Sequence, residues 1–447
     1  MRKNNKNIRN NRSSRNKRNI KQKKFINFLN FNKKTIKYFL IISFIFILIV
    51  LFFVIKNSSY ISNSNINSIN TINEEINIKE NNSDKNLNKN NEINKETETN
   101  LDTTFTLTAL GDVLCHNTQY WDAYNKDTDT YDFSYVFDDI KLYTQTGDLC
   151  IANLETSFAG KERGYSNYPT FNSPDNLAFS LKKIGVDIIT TAGNHCLDMG
   201  LSGLSRTIDV LDEADISHLG TYKTQEERDS VFIKYVKGIK IAFVDYTYGT
   251  NGIPVPSDHP YCVNLIDKNL IKNDIEAAKK ENPDMIIACM HWGTEYQTSA
   301  NNEQKDLADF LFQNGVDVII GNHPHVLQQM EKRTITLEDG TIKDGFVIYA
   351  LGNFICDQNA ENTRNSIILN LNITKHENGK ITIDKADYIP IYMYKNTNVS
   401  IKKFKVLDIQ KTIENYYSYV DTSIGESNYI YLQKQLEKIK QIVGEPF

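Results

Sequence analysis

At 447 residues, 40% hydrophobic and 24% charged, the chain is longer than one compact domain and too apolar to be disordered throughout. Its net charge of −4 is unevenly divided: residues 1–37 hold 14 Lys or Arg and no acid, so setting that +14 against −4 leaves −18 on the remainder. An acidic remainder of that size argues against nucleic acid as the partner of the folded part.

Residues 38–55 read YFLIISFIFILIVLFFVI, eighteen positions without a charge. At a rise of about 1.5 Å per residue such a helix just covers a hydrocarbon core, which predicts a transmembrane anchor with the basic tail 1–37 held in the cytoplasm. A cleaved signal peptide would have a shorter apolar core and end in small residues, whereas Lys56-Asn-Ser-Ser-Tyr60 follows directly. Residues 56–103, crowded with Asn, Ser, Glu, Lys and Thr, bury too little to fold and read as a polar linker.

From there short apolar runs alternate with amphipathic stretches, predicting a domain over 104–395. Strand candidates are 105–110, 149–152, 187–191, 239–246, 285–290, 316–320, 346–351 and 366–373. Ser173-Pro174 can cap a helix with Leu177, Leu181 and Ile184 on its apolar face and Gly185 at its end. Further helices carry Leu204, Ile208 and Leu211, then Leu307, Phe310 and Leu311 before Gly315. This alternation predicts an α/β fold with largely parallel strands and helices outside. Residues 396–447 carry no ligand-type cluster and read as a mostly helical extension packed on that domain. The six cysteines at 115, 150, 196, 262, 289 and 356 sit in or beside apolar runs, without a C-x-x-C pair, which predicts buried free thiols.

Donor residues follow these strands. Asp112 ends the first strand with His116 beyond it; Glu155 follows Ile151-Ala-Asn-Leu; Asn194 and His195 precede Asp198 in Gly193-Asn-His-Cys-Leu-Asp198; His291 follows 285–290; and Gly321-Asn-His-Pro-His325 holds two imidazoles around a proline. Each has an ordinary alternative: a turn for Gly-Asp, a surface charge for Glu155, a helix-capping turn for Asn-His, a satisfied core histidine for His291. Together they supply the carboxylate, amide oxygen and imidazole that divalent metals take, and strand ends converge at one sheet edge. The stretch 184–195 also echoes 314–323, each running helix, Gly, strand, Asn-His; two related βαβ units or chance are both open readings.

Leu110-Gly-Asp112, Ala152-Asn-Leu-Glu155, Ala192 to Gly200, His291-Trp-Gly-Thr-Glu295, Gly321-Asn-His-Pro-His-Val326 and Leu351-Gly-Asn-Phe354 resemble, in that order, the capsule-biosynthesis CapA (PgsA-like) family of the calcineurin-like metallophosphoesterase superfamily. The resemblance spans about residues 104–358. It implies a four-layer α/β/β/α sandwich and a centre of two divalent ions (Mn, Zn, Fe or Mg). Asp112 resembles the first-strand ligand, Glu155 a bridging carboxylate, Asn194, His291 and His323 one ion's shell, and His325 a ligand of the other. His195, oriented by Asp198, resembles the catalytic imidazole. The superfamily's first-strand Asp-x-His is altered: position 114 is Leu, and His116, two residues on and displaced by about 7 Å on an extended chain, is the candidate replacement.

The resemblance further implies work on poly-γ-glutamate, a capsule polymer, beside membrane synthase or export subunits, with the domain outside a single-pass cell membrane. Three functions remain open on sequence: a metal-dependent hydrolase of a phosphoester or polymer amide, a noncatalytic metal-binding scaffold of the export machinery, and a sugar- or peptidoglycan-binding module.

Overall fold

The computed structural model describes residues 102–447. The basic tail, the apolar segment 38–55 and the linker up to residue 101 lie outside the described residues. Among the described residues no helix is long and apolar enough to cross a membrane.

Two sheets form the centre. The first takes β1 (Thr103–Val113), β2 (Leu149–Leu154), β3 (Ile188–Thr190) and β4 (Ser217–Leu219) side by side and parallel. The second contains β5 (Phe232–Val236), β6 (Ile239–Thr247), β7 (Met285–His291), β8 (Val318–Asn322), β9 (Met330–Thr336) and β10 (Ile342–Ile348), in the order β9-β10-β8-β7-β6-β5. The chain then returns to the first sheet with β11 (Asn353–Ile355), β12 (Asn365–Lys375), β13 (Ile381–Lys395) and β14 (Phe404–Asp408), where β12, β13 and β14 extend it beyond β1 and β11 pairs with the end of β1.

All eight strand candidates are present. Parallel pairing holds from β1 to the β4 edge in the first sheet and at the centre of the second, but β12, β13 and β14 run antiparallel, as do the edge strands β5 and β9. The cause is short connection: β12 and β13 are joined by a tight turn in which the His376 N–H donates to the Lys380 carbonyl at 2.9 Å, and a two-strand hairpin cannot be parallel.

Alternation of side chains divides the core into layers. Phe105, Leu107 and Ala109 of β1 and Ile367, Leu369 and Leu371 of β12 meet Ile241, Ile287, Val318 and Phe346 of the other sheet. On the outer face of the first sheet, Cys150, Ala152 and Ile189 pack against α1 (Asn176–Lys183) and α2 (Gly200–Glu213) through Leu177, Leu181, Val210 and Leu211. On the outer face of the second, Ala242, Ala288 and Ile319 pack against α3 (Lys268–Lys280) and α4 (Asn302–Gln313) through Ile271, Ile275, Leu307 and Leu311. The architecture is thus four layers, α/β/β/α.

Helix α1 begins two residues later than its Ser-Pro suggests. Its N-cap is Asp175, which makes no side-chain cap bond because Arg206 engages both its oxygens at 2.8 and 2.7 Å, while Ser173 bonds Thr156 at 2.8 Å. In 396–447, β14 completes the sheet edge, and α5 (Ile409–Tyr417) and α6 (Glu426–Val443) follow, with Leu432, Ile439 and Val443 joining the inter-sheet core. All six cysteines are free, five of them buried and Cys196 partly so.

Candidate metal centre

The carboxyl ends of the parallel strands from both sheets open on one crevice. β1 delivers Asp112, and it does so off the regular ladder. Its register with β2 shifts between Leu110 and Asp112, and the Asp112 N–H donates to the Gly352 carbonyl at 2.9 Å. Gly111 permits this approach, since any Cβ there would overlap the Gly352 carbonyl. β2 ends one residue before Glu155, β7 ends on His291, and β8 ends on Asn322 with His323 next.

The internal echo has a structural counterpart. In each unit a helix ends before a positive-φ glycine, Gly185 (95°) or Gly315 (105°). The Asp that follows then bonds the neighbouring strand's backbone: Asp187 takes the Cys150 N–H at 2.9 Å and Asp317 the Ile286 N–H at 2.7 Å. One unit lies in each sheet, so Asn194-His195 and Asn322-His323 arrive from opposite sides.

Two sets of donor atoms result, each lying within 4.8 Å of one another: Glu155, His291 and His323, and Asp112, Glu155 and His325. Glu155 belongs to both. Its Oε1 is 3.6 Å from His291 Nε2 and its Oε2 3.5 Å from His325 Nδ1, while Asp112 Oδ2 is 3.7 Å from His325 Nδ1. These separations are too long for hydrogen bonds and suit donors around a common cation. Asn194 joins the first set, its Oδ1 being 2.8 Å from His291 Nε2. Asn353 Oδ1 is 3.1 Å from His325 Nδ1, on the side of the second set.

The polar atoms themselves call for cations. Both Glu155 oxygens and His323 Nδ1 are buried without a hydrogen-bond partner, a costly state unless something else binds them. Burial, with the Glu155 charge added, pushes the Asp112 carboxyl well up, and burial pushes Glu155 up against the opposing pull of His325 and His195. Burial lowers His291 to about 3 and also lowers His323 and His325, so all three imidazoles are neutral and able to ligate. The residues present therefore fit divalent ions. The backbone is strained at the same place: His323 and His325 adopt φ of 98° and 59°, a region disfavoured for residues with a Cβ.

His195 and Asp198 form a separate pair beside these sets. His195 Nδ1 and Asp198 Oδ2 are 2.7 Å apart, and Asp198 also accepts the Phe171 N–H at 2.6 Å, which fixes the carboxylate. Burial of the ring opposes protonation, but the Asp198 bond and the Glu155 charge outweigh it and hold His195 above its ordinary value. His195 is in neither donor set. His116 also stands outside both: its Nδ1 lies 3.0 Å from the Leu114 carbonyl oxygen and 3.1 Å from the Asp357 N–H, and its ring meets Phe171 edge-on at 5.5 Å. β1 ends at Val113, so the same-side argument for an extended chain does not reach His116.

Sequence reasoning did not single out Asn153, Asn251, Asn353 or Tyr248. Asn153 Nδ2 donates to Asp112 Oδ1 at 2.8 Å and lies 3.3 Å from His291 Nδ1, tying the two sheets' ligands together. Tyr248 lies over His323 at 4.5 Å and parallel to His291 at 6.4 Å. Asn353 lies in Leu351-Gly-Asn-Phe354, the signal that could have found it; Tyr248 and Asn251 follow β6 without a recognisable motif.

The profile of the family described as "Bacterial capsule synthesis protein PGA_cap" matches residues 106–358. The chain is 26% identical over 290 residues to the capsule biosynthesis protein CapA of Bacillus anthracis, covering 62% of this chain and 66% of that protein. It is 28% identical over 235 residues to the PGA biosynthesis protein CapA of Bacillus subtilis, covering 52% and 57%. The chain thus spans less than two thirds of either relative. Among solved structures it is similar to the calcineurin-like phosphoesterase YfkN of Bacillus subtilis, with 18% identity, a TM-score of 0.41, and coverage of 71% of this chain and 99% of that one. At that score the likeness adds nothing to the reading of the site, and the layers stand on their own strand pairing and cores.

Proposed function

The chain belongs to the PGA_cap family of bacterial capsule synthesis proteins, and on that basis we propose that it is a membrane-anchored, extracytoplasmic CapA-like hydrolase of poly-γ-glutamate capsule synthesis or export. The Bacillus relatives named for capsule and PGA biosynthesis support the pathway. The apolar segment 38–55 behind a basic tail supports the anchor and the outward orientation. The observation that carries the hydrolase reading is Glu155, a buried carboxylate without hydrogen-bond partners and common to two donor sets.

Asp112, Glu155 and His325 would hold one divalent ion, and Glu155, Asn194, His291 and His323 the other. Bound there, ions of the Mn, Zn, Fe or Mg class supply positive charge and a more acidic water. The chain's own chemistry lies in His195. Asp198 fixes its Nδ1, leaving Nε2 to deliver a proton to a leaving oxygen or nitrogen, so phosphoester and amide cleavage are both within its reach. Asn153 keeps Asp112 and His291 in position during that transfer.

A second reading, a noncatalytic scaffold beside synthase or export subunits, draws on one observation: with His116 outside both donor sets, the Asp112 side keeps a single imidazole. Incubation of the purified chain with bis-p-nitrophenyl phosphate and with a γ-glutamyl oligomer, in Mn²⁺ and then in chelator, tests the two. The hydrolase reading expects turnover of at least one substrate in Mn²⁺ and none in chelator. Absence of turnover with metal bound supports the scaffold.

A further inference from the structure

Asn194 can ligate a cation only through its amide oxygen, so its side chain must be held with one particular end inward. Oδ1 faces His291 Nε2 at 2.8 Å, and Nδ2 is turned away, donating to Asn251 Oδ1 at 3.1 Å. Asn251 lies in the loop after β6, in the sheet opposite Asn194's strand. The loop is braced by the Ile253 N–H on the Thr250 carbonyl at 2.9 Å and by Thr250 Oγ1 on the Ile253 carbonyl at 2.5 Å, with Thr250 itself buried.

Asn251 Oδ1 also receives the Tyr248 hydroxyl at 3.4 Å, so two donors converge on that oxygen. Its amide is thereby turned so that Nδ2 lies 3.3 Å from each ring nitrogen of His195. One side chain thus touches both the Asn194 amide and the imidazole proposed to transfer the proton.

We propose that Asn251 is a positioning residue that selects the orientation of the Asn194 amide, keeping its oxygen toward the metal centre. This rests on the reading of the donor sets as a divalent-metal site. Without the Asn251 acceptor, Asn194 Nδ2 keeps only the Tyr248 hydroxyl as an outward partner, and Tyr248 itself loses the Asn251 oxygen that its hydroxyl donates to; the inverted amide would present its NH₂ group to the cation. A simpler reason for Asn at 251 also exists: its φ is 51°, a left-handed conformation that Asn tolerates. Asn251→Gly keeps that conformation available and removes the amide. Asn194→Asp places an oxygen at both ends of residue 194 and so needs no orienting partner.

These two substitutions define a double-mutant cycle, read as Mn²⁺ affinity by chelator competition on the full chain. Asn251→Gly should weaken binding about 10–100-fold in the native background, the usual effect of losing an outer-shell orienting group. In the Asn194→Asp background it should change affinity by no more than about twofold, as for uncoupled positions. Asn251→Asp, which keeps an acceptor toward Asn194, should retain native affinity and serves if the glycine variant does not fold. Equal losses in both backgrounds, or no loss in the native one, would overturn the proposal. Failure of the native chain to bind Mn²⁺ at all would remove the metal reading together with it.

Discussion

Glu155→Gln should abolish divalent-ion binding at both donor sets, weakening Mn²⁺ by more than about 100-fold, since loss of an outer-shell group alone costs about 10–100-fold. No other described residue belongs to both sets, so none of the other single substitutions at donor residues should empty the two together. The metal-free protein should respond in the opposite sense. In it Glu155 is a buried carboxyl with both oxygens unpartnered, and burial holds its pKa above the ordinary value. A group raised in this way costs stability above its unfolded pKa, so the neutral, isosteric amide should stabilise the chelated chain by about 1–3 kcal/mol at neutral pH. That gain should shrink as pH falls and the native carboxyl takes up its proton. Thermal melting in chelator at neutral and mildly acid pH, beside a Mn²⁺ titration, checks both halves. A variant that binds Mn²⁺ like the native chain would show that Glu155 is a structural acid.

His195→Ala should separate binding from chemistry. The ring lies outside both donor sets, and its firm contact is Asp198 at 2.7 Å, so metal content should stay at the native level. Turnover should fall by about 10²–10⁴-fold, the usual contribution of a positioned proton donor. Steady-state kinetics paired with elemental analysis of the same preparation reads the two quantities together. Full activity in a metal-replete His195→Ala protein would remove His195 from the mechanism, and loss of metal would make it part of the centre instead.

Much of this site is legible in sequence for a physical reason. Parallel strands buried on both faces leave near-continuous apolar runs, and a donor residue that ends such a run stands out, as His291 does after Met285-Ile-Ile-Ala-Cys-Met290. The segments shared with the resembled family then assigned roles that single residues could not. Other features left no such trace. β13 escaped because Asp384, Lys385, Asp387 and Pro390 interrupt its alternation; it lies between β12 and β14 and tolerates Pro390 opposite Ile367. The orienting amides escaped for a different reason: Asn153 sits inside an apolar strand and Asn251 in a turn, where Asn is common without any ligand nearby. His116 was placed by extending β1 past its true end, and the chain turns into a helix at Asn117.

The central claim, that buried Glu155 joins two cation sites, is tested most directly by the metal content of the purified chain. Elemental mass spectrometry on protein prepared without chelator and dialysed against trace Mn²⁺ should return two ions per chain. A single ion would contradict a two-ion centre, and none would contradict the metal site altogether.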